Sequence, residues 1–137
     1  MRLVLDTNEY VAALGWVKNP ASELLLTKLI KSPSEYVLLI PRAIVNEARR
    51  NLPPILFTQF IKIIQAVSSI DEDNQVPFET GAKYESLGLK SADAFIAGYC
   101  EWASADILVS ENRHFLSRKS NLPFRVLNAA DCLKSLE

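Results

Sequence analysis

Short runs of consecutive apolar residues alternate along the chain with longer stretches in which apolar positions recur every three or four residues. Leu3-Val4-Leu5 is the first run, ended by Asp6. It reads as a strand buried on both faces, as in a parallel sheet. Asn19-Pro20 opens a helix, with Asn as cap and Pro in the first turn, and Ala21, Leu24, Leu25 and Leu29 follow at helical spacing. Pro33-Ser34 breaks that helix, and residues 36–40 form a second buried strand closed by Pro41. A helix from about Arg42 carries Ile44, Val45 and Ala48 on one face and Glu47 on its flank, until Pro53-Pro54. Another spans 55–67, with Leu56, Phe60, Ile63 and Val67 in phase.

Residues 68–76 hold Asp71, Glu72 and Asp73 and little apolar content, which predicts an acidic solvated loop with room for a short strand. Pro77 starts a helix that Gly88 ends. Ser91 is placed to cap the next, with Asp93 in its first turn and Phe95, Ile96, Tyr99 and Trp102 on its apolar side. Ile107-Leu108-Val109 and Phe124-Arg125-Val126-Leu127 are the third and fourth buried strands, and Asn128 can cap a last helix through Leu136. Strands alternating with helices favour an α/β domain with a central, mainly parallel sheet and helices on both faces. No repeat, linker or composition shift divides residues 1–137, so one domain is expected.

Composition narrows the function classes. With 49% hydrophobic and 23% charged residues the chain has enough apolar surface to fold, which excludes an intrinsically disordered segment. Fifteen Lys and Arg against sixteen Asp and Glu exclude a strongly basic nucleic-acid coat protein, but not an enzyme with a basic rim around an acidic site. Cys100 and Cys132 have neither zinc-site nor disulfide-framework spacing and read as small buried residues of a reducing compartment. The opening Met1-Arg2-Leu3-Val4-Leu5-Asp6 is charged too early for a signal peptide, and no apolar run approaches the roughly 20 residues of a membrane span. A cytoplasmic protein without membrane contact is expected.

Sites in open α/β sheets lie beyond the carboxyl ends of the strands, at a switch in strand order. Asp6-Thr7-Asn8 follows the first strand and Ser110-Glu111-Asn112-Arg113-His114 the third; the second leads into the helix of Glu47, and the helix of Asp93 leads into the third. Each residue also has a plain structural reading. Asp6 and Asn112 are good helix caps, Glu47 can pair with Arg50 one turn on, Asp93 suits a first helical turn, and His114, the only histidine, can be a surface residue. Together, however, three carboxylates at one end of a sheet repel one another unless a cation neutralises them, and hard oxygens suit Mg²⁺ or Mn²⁺.

Four segments in this order resemble the PIN-domain nucleases. They are Leu3-Val4-Leu5-Asp6-Thr7-Asn8, Val45-Asn46-Glu47-Ala48-Arg49-Arg50, the stretch 88–97 around Ser91-Ala92-Asp93, and the stretch 106–115 around Ser110-Glu111-Asn112. The resemblance covers nearly the whole chain. It implies a three-layer α/β/α fold and metal-dependent endonucleolytic hydrolysis of RNA phosphodiesters. Many compact members are VapC-like toxins of toxin–antitoxin pairs that commonly form homodimers, so an antitoxin partner is implied as well. Asp6, Glu47 and Asp93 match the family's acidic positions, Thr7 its small hydroxyl position, and Asn8 a common companion. The chain departs from the pattern at Asn112, where the family usually has a fourth acid after the hydroxyl that Ser110 supplies. A carbonyl oxygen there can still face a metal or its water, but brings no charge.

The resemblance implies Asp6 and Asp93 as metal ligands, Glu47 binding through water or orienting the attacking water, Asn112 completing the shell, and Thr7, Asn8 and Ser110 supporting it from behind. Candidate phosphate contacts are Arg49 and Arg50 beside Glu47, with Arg42; Lys90 before Asp93, with Lys83; and Arg113 in the stretch that also holds Arg118, Lys119 and Arg125. Tyr10 and Trp16 can stack on bases, although core or dimer packing suits them better. Glu111 need not point into the site, and Asp106, before its strand, belongs at the opposite end of the sheet. The alternative is a PIN-like domain that binds RNA or protein without cutting. A phosphotransferase with Asp6 as nucleophile would want a second Asp where Asn8 stands, and a dinucleotide fold would want a glycine-rich turn that is absent.

Overall fold

A computed structural model describes residues 1–117 and 122–137. Strand and helix alternate in the order β1 (Arg2–Leu5), α1 (Thr7–Leu14), α2 (Pro20–Lys31), β2 (Val37–Pro41), α3 (Arg42–Asn51), α4 (Pro54–Val67), β3 (Ile70–Asp71), α5 (Phe78–Ser86), α6 (Ser91–Trp102), β4 (Ile107–Val109), α7 (Arg113–Leu116), β5 (Arg125–Leu127) and α8 (Ala129–Ser135). The strands form one five-stranded sheet in the order β3-β2-β1-β4-β5, with every neighbouring pair parallel. The expected mainly parallel sheet is thus all parallel among the described residues.

The sheet is sandwiched because its central strands are apolar on both faces. Leu3, Val4 and Leu5 of β1 and Ile107, Leu108 and Val109 of β4 are all buried. Each such side chain taken from water contributes about 1.5–3 kcal/mol before entropy is counted. From β1 the chain steps outward through β2 to β3, then crosses back to β4 on the other side of β1. Right-handed crossovers therefore put α1–α4 on one face and α5 and α6 on the other. The reversal beside β1 is the switch point where such sheets open a crevice.

Several local expectations change. Residues 68–76 do form a loop around a short strand, but a tied one. Ile70–Asp71 adds the edge strand, Asp73 Oδ1 accepts the Ala43 N–H at 3.0 Å, and Arg42 pairs with Glu72 at 2.7 Å. Pro41 gives α3 no side-chain cap, so a carboxylate thirty residues away satisfies one of the first-turn N–H groups instead. Lys90 occupies the cap position of α6, and Ser91 is its first helical residue rather than its cap. Helices α5 and α6 pack closely because Gly98 lies against Gly81, where a Cβ would meet the Gly81 nitrogen at 3.1 Å. The turn between them uses Gly88 at φ 101°, a conformation that suits glycine.

Candidate functional site

Asp6 leaves β1 and Ser110 leaves β4 side by side, since Leu5 and Val109 are in register. The Asp6 N–H donates to the Val109 carbonyl at 2.9 Å, and the Ser110 hydroxyl donates to Asp6 Oδ2 at 2.8 Å. Asp6 also occupies the cap position of α1, its Oδ1 accepting the Thr7 N–H at 2.9 Å. Its cap reading and its site reading are therefore both realised by one carboxylate. Buried Thr7 donates its hydroxyl to Glu47 Oε2 at 3.0 Å, which fixes the α3 carboxylate beside the end of β1.

The second arm runs through Asn112. Its N–H donates to Ser110 Oγ at 3.0 Å, and its Nδ2 donates to Asp93 Oδ2 and Oδ1 at 3.3 and 3.4 Å. Its Oδ1 accepts the His114 N–H at 2.9 Å and caps α7. The amide oxygen that the sequence made available to a cation is thus engaged in capping, and the nitrogen faces the site. The result is a polar relay at the switch point, Glu47–Thr7–Asp6–Ser110–Asn112–Asp93, in which neutral donors separate the three acids.

Burial pushes the pKa of the Asp6 carboxyl up from its ordinary value. The Ser110 and Thr7 donors oppose that shift, while the negative charges of Glu47 and Asp93 add to it. Three mutually repelling oxygen donors are the setting a hard cation relieves. Among the described residues no three His, Cys, Asp or Glu side chains already stand together as a cage. Mg²⁺ is commonly held by one or two carboxylates and keeps several of its waters, so Asp6 and Asp93 are the residues that could hold such an ion without a third ligand.

Sequence reasoning missed Glu9. It lies on the buried side of α1, is 1% exposed, and accepts the Ser22 hydroxyl at 2.8 Å through Oε2. Its Oε1 receives no hydrogen bond among the described residues. Burial raises its pKa to about 8, with further upward pushes from neighbouring Glu111 and from Asp6, against the lowering effect of Ser22. A carboxyl so placed keeps its proton at neutral pH. Glu111 itself accepts the Ala129 N–H at 3.1 Å, so it turns toward the start of α8. The signal available was helical spacing, since Glu9 precedes buried Tyr10 and Ala13 on an eight-residue helix.

Arg49, Arg50, Lys90 and Arg113 are all exposed, and Asn8 is exposed in the first turn of α1. Arg49 stacks its guanidinium over Phe57 at 5.1 Å from the ring centre. Arg42 and Lys83 are instead paired with Glu72 and Glu101. Arg125 starts β5 and donates its N–H to the Asp106 carbonyl, which places it at the far end of the sheet from Asp6. Arg118 and Lys119 lie outside the described residues. Asp106 accepts the Arg2 N–H at 2.7 Å at that far end, as expected. Tyr10 is buried edge-on to Phe60 and belongs to the core, whereas Trp16 is 74% exposed and does not. Cys100 and Cys132 are buried and free.

No family model matches the chain, and no curated protein matches it. Solved structures do. VapBC2 from Rickettsia felis, bound to a DNA fragment from its promoter, superposes with a TM-score of 0.64 at 19% identity, covering 93% of this chain and 98% of that one. FitAcB from Neisseria gonorrhoeae superposes with a TM-score of 0.59 at 18% identity, covering 93% and 97%. The fold is PIN-like. At these identities the likeness carries the architecture, in both directions over nearly the full length, and the chemistry rests on the side chains described above.

Proposed function

We propose that this protein is a metal-dependent endoribonuclease of PIN type that hydrolyses RNA phosphodiester bonds. The observation that carries the reading is the relay at the switch point, which joins Asp6, Glu47 and Asp93 through hydroxyl and amide donors. Asp6 and Asp93 would hold Mg²⁺ or Mn²⁺, with Glu47 reaching it directly or through water. The ion, when bound, supplies charge stabilisation at the phosphate and acidifies a water molecule. Glu47, held by Thr7, orients the attacking water and takes up its proton. Ser110 fixes the rotamer of Asp6, and Asn112 holds Asp93 in place. No side chain needs to become a covalent intermediate. Exposed Arg49, Arg50, Lys90 and Arg113 bind flanking phosphates.

The likeness of fold to VapBC2 and FitAcB, together with the VapC-like motifs, supports the toxin of a toxin–antitoxin pair, with a cognate antitoxin as partner and a homodimer as the assembly. None of the described helices is long and apolar enough to cross a membrane, in keeping with action on cellular RNA in the cytoplasm. The test is cleavage of single-stranded RNA with Mg²⁺ or Mn²⁺ by the purified protein and by Asp6→Asn. We expect a loss of at least about a hundredfold in the variant, the scale of a removed charge-stabilising group, and none of the wild-type activity in EDTA. Cleavage in EDTA equal to that with metal would falsify the reading. Expression in cells adds a second readout, growth arrest that Asp6→Asn relieves.

A second reading, an RNA- or protein-binding domain that does not cut, draws on Asn112 in place of an acid and on the lack of a ready three-ligand cage among the described residues. Titration with Mn²⁺ separates the two readings. A saturable site lost in Asp6→Asn supports the nuclease, and no specific binding supports the alternative.

A further inference from the structure

A cavity of about 330 Å³ opens between the start of α3 and the α5–α6 pair, lined by Ala43, Asp73, Phe78, Glu85, Ser91 and Phe95 among others. Small-molecule sites begin at about this size. The cavity is lined in part by the first turns of α3 and α6, the two helices that carry Glu47 and Asp93. Ala43 is one turn before Glu47 on α3, so the two share a helix face, and Ser91 stands with Asp93 in the first turn of α6.

Two aromatic rings and two carboxylates define its chemistry. Phe78 is 84% exposed at the head of α5, an unusual place for a phenyl ring with no core to join, and Phe95 is half-buried opposite. Asp73 uses Oδ1 on the Ala43 N–H. Among the described residues its Oδ2 accepts no hydrogen bond, and the Glu85 side chain makes no hydrogen bond or ion pair. Among the described residues no Lys, Arg or His lines the cavity. Such a lining repels phosphate but welcomes a flat ring whose edge carries N–H donors.

We propose that this cavity is a nucleobase subsite that takes guanine from the RNA strand whose phosphate lies at the acidic centre. The proposal rests on the ribonuclease reading for the identity of the strand. Among the bases guanine alone presents adjacent donors, N1–H and N2–H₂, on its pairing edge, and a carboxylate accepts both at once. Uracil offers one N–H between two carbonyls that the carboxylates repel. Adenine and cytosine offer one amino group beside a ring nitrogen that is itself an acceptor. Phe78 supplies the stacking face, and Asp73 and Glu85 the acceptors.

The test is fluorescence anisotropy with labelled single-stranded oligouridine carrying one central guanosine, inosine or uridine. It uses the wild-type protein in EDTA and Asp6→Asn in Mg²⁺, so binding is read without cleavage. Guanosine is expected to bind about tenfold tighter than uridine, the order of one gained stacking contact, and inosine, lacking N2–H₂, to fall between them. Phe78→Ala and the double change Asp73→Asn with Glu85→Gln are each expected to erase the guanosine advantage and to leave oligouridine affinity within about twofold.

Equal binding of the three oligonucleotides, no binding by either protein form, or an advantage that survives all these changes would overturn the proposal. So would a Phe78→Ala variant that turns a dimer into a monomer by sedimentation with its base preference intact, which would make the ring a subunit contact. A guanosine preference that follows Phe78, in a protein that never cleaves RNA, would retain the subsite and overturn the nuclease reading instead.

Discussion

The two ends of the Asn112 amide do different things, so two substitutions separate them. Asn112→Ala loses the cap of α7, a change that typically costs about 1 kcal/mol, and also frees Asp93. Asn112→Asp keeps an oxygen for the His114 N–H but sets a second carboxylate against Asp93. In EDTA we expect Asn112→Asp to melt below wild type, and Mn²⁺ to raise its melting temperature by more than it raises that of wild type. Cleavage should be unchanged or increased. A large loss of cleavage alongside a normal Mn²⁺ response would show that the amide nitrogen itself positions Asp93.

Glu9 gives a pH prediction with a definite sign. Its folded pKa is raised to about 8 from an ordinary glutamate value of 4.5. The neutral form is therefore the one that folding favours, and its contribution is complete below about pH 4.5 and fades as the pH rises through 8. Thermal melts of the metal-free protein from about pH 6 to 9 should show stability falling with pH, and Glu9→Gln should flatten that slope and melt higher at about pH 9. A steeper slope in the variant would mean that the carboxylate is held ionised after all. That Asp6, Glu47 and Asp93 come together at one end of the sheet is legible in the sequence, because their places relative to the strands and the motif order agree. The place of Glu9 is not, because a single acid among apolar neighbours looks the same whether it faces solvent or Ser22.

Among the elements, the α5–α6 pair sets where Asp93 stands. A Cβ at Gly98 would lie within 3.4 Å of backbone atoms of Thr80 and Gly81, which cannot rotate away. Gly98→Val should cost about 1–3 kcal/mol by overpacking. By lifting the helix that carries Asp93 it should also lower cleavage more than it lowers the fraction folded, as judged by circular dichroism and activity on the same sample. Buried strands announced themselves as apolar triplets between polar stops, and α2, α4 and α8 by spacing and caps. The short helix α1 did not, because Glu9 interrupts its apolar stripe. The sequence leaves room for the strand β3 within residues 68–76 without placing it, because two residues carry no period. The tie from Asp73 to α3 is invisible in sequence, since it joins groups thirty residues apart through a backbone N–H that has no sequence mark.

For the molecule as a whole, a net charge of −1 conceals a division by place. Acids gather at the switch point, while Arg49, Arg50, Lys90 and Arg113 remain exposed. If these four meet phosphates, the logarithm of the RNA association constant should fall with the logarithm of salt concentration at about −0.7 per contact. Replacing Arg49 and Arg50 with alanine should then make the slope shallower by about 1.4, measured by anisotropy from roughly 50 to 300 mM salt. An unchanged slope would move the phosphate path away from α3.

The sheet that carries all this ends in very little. Its edges are β3, two residues long, and β5, three residues long. An edge that short gives an incoming extended peptide almost no ladder of main-chain groups to read. A protein that binds this molecule therefore has side chains on helices and loops to recognise rather than a strand edge, and its specificity can drift by surface substitution while the sheet stays untouched.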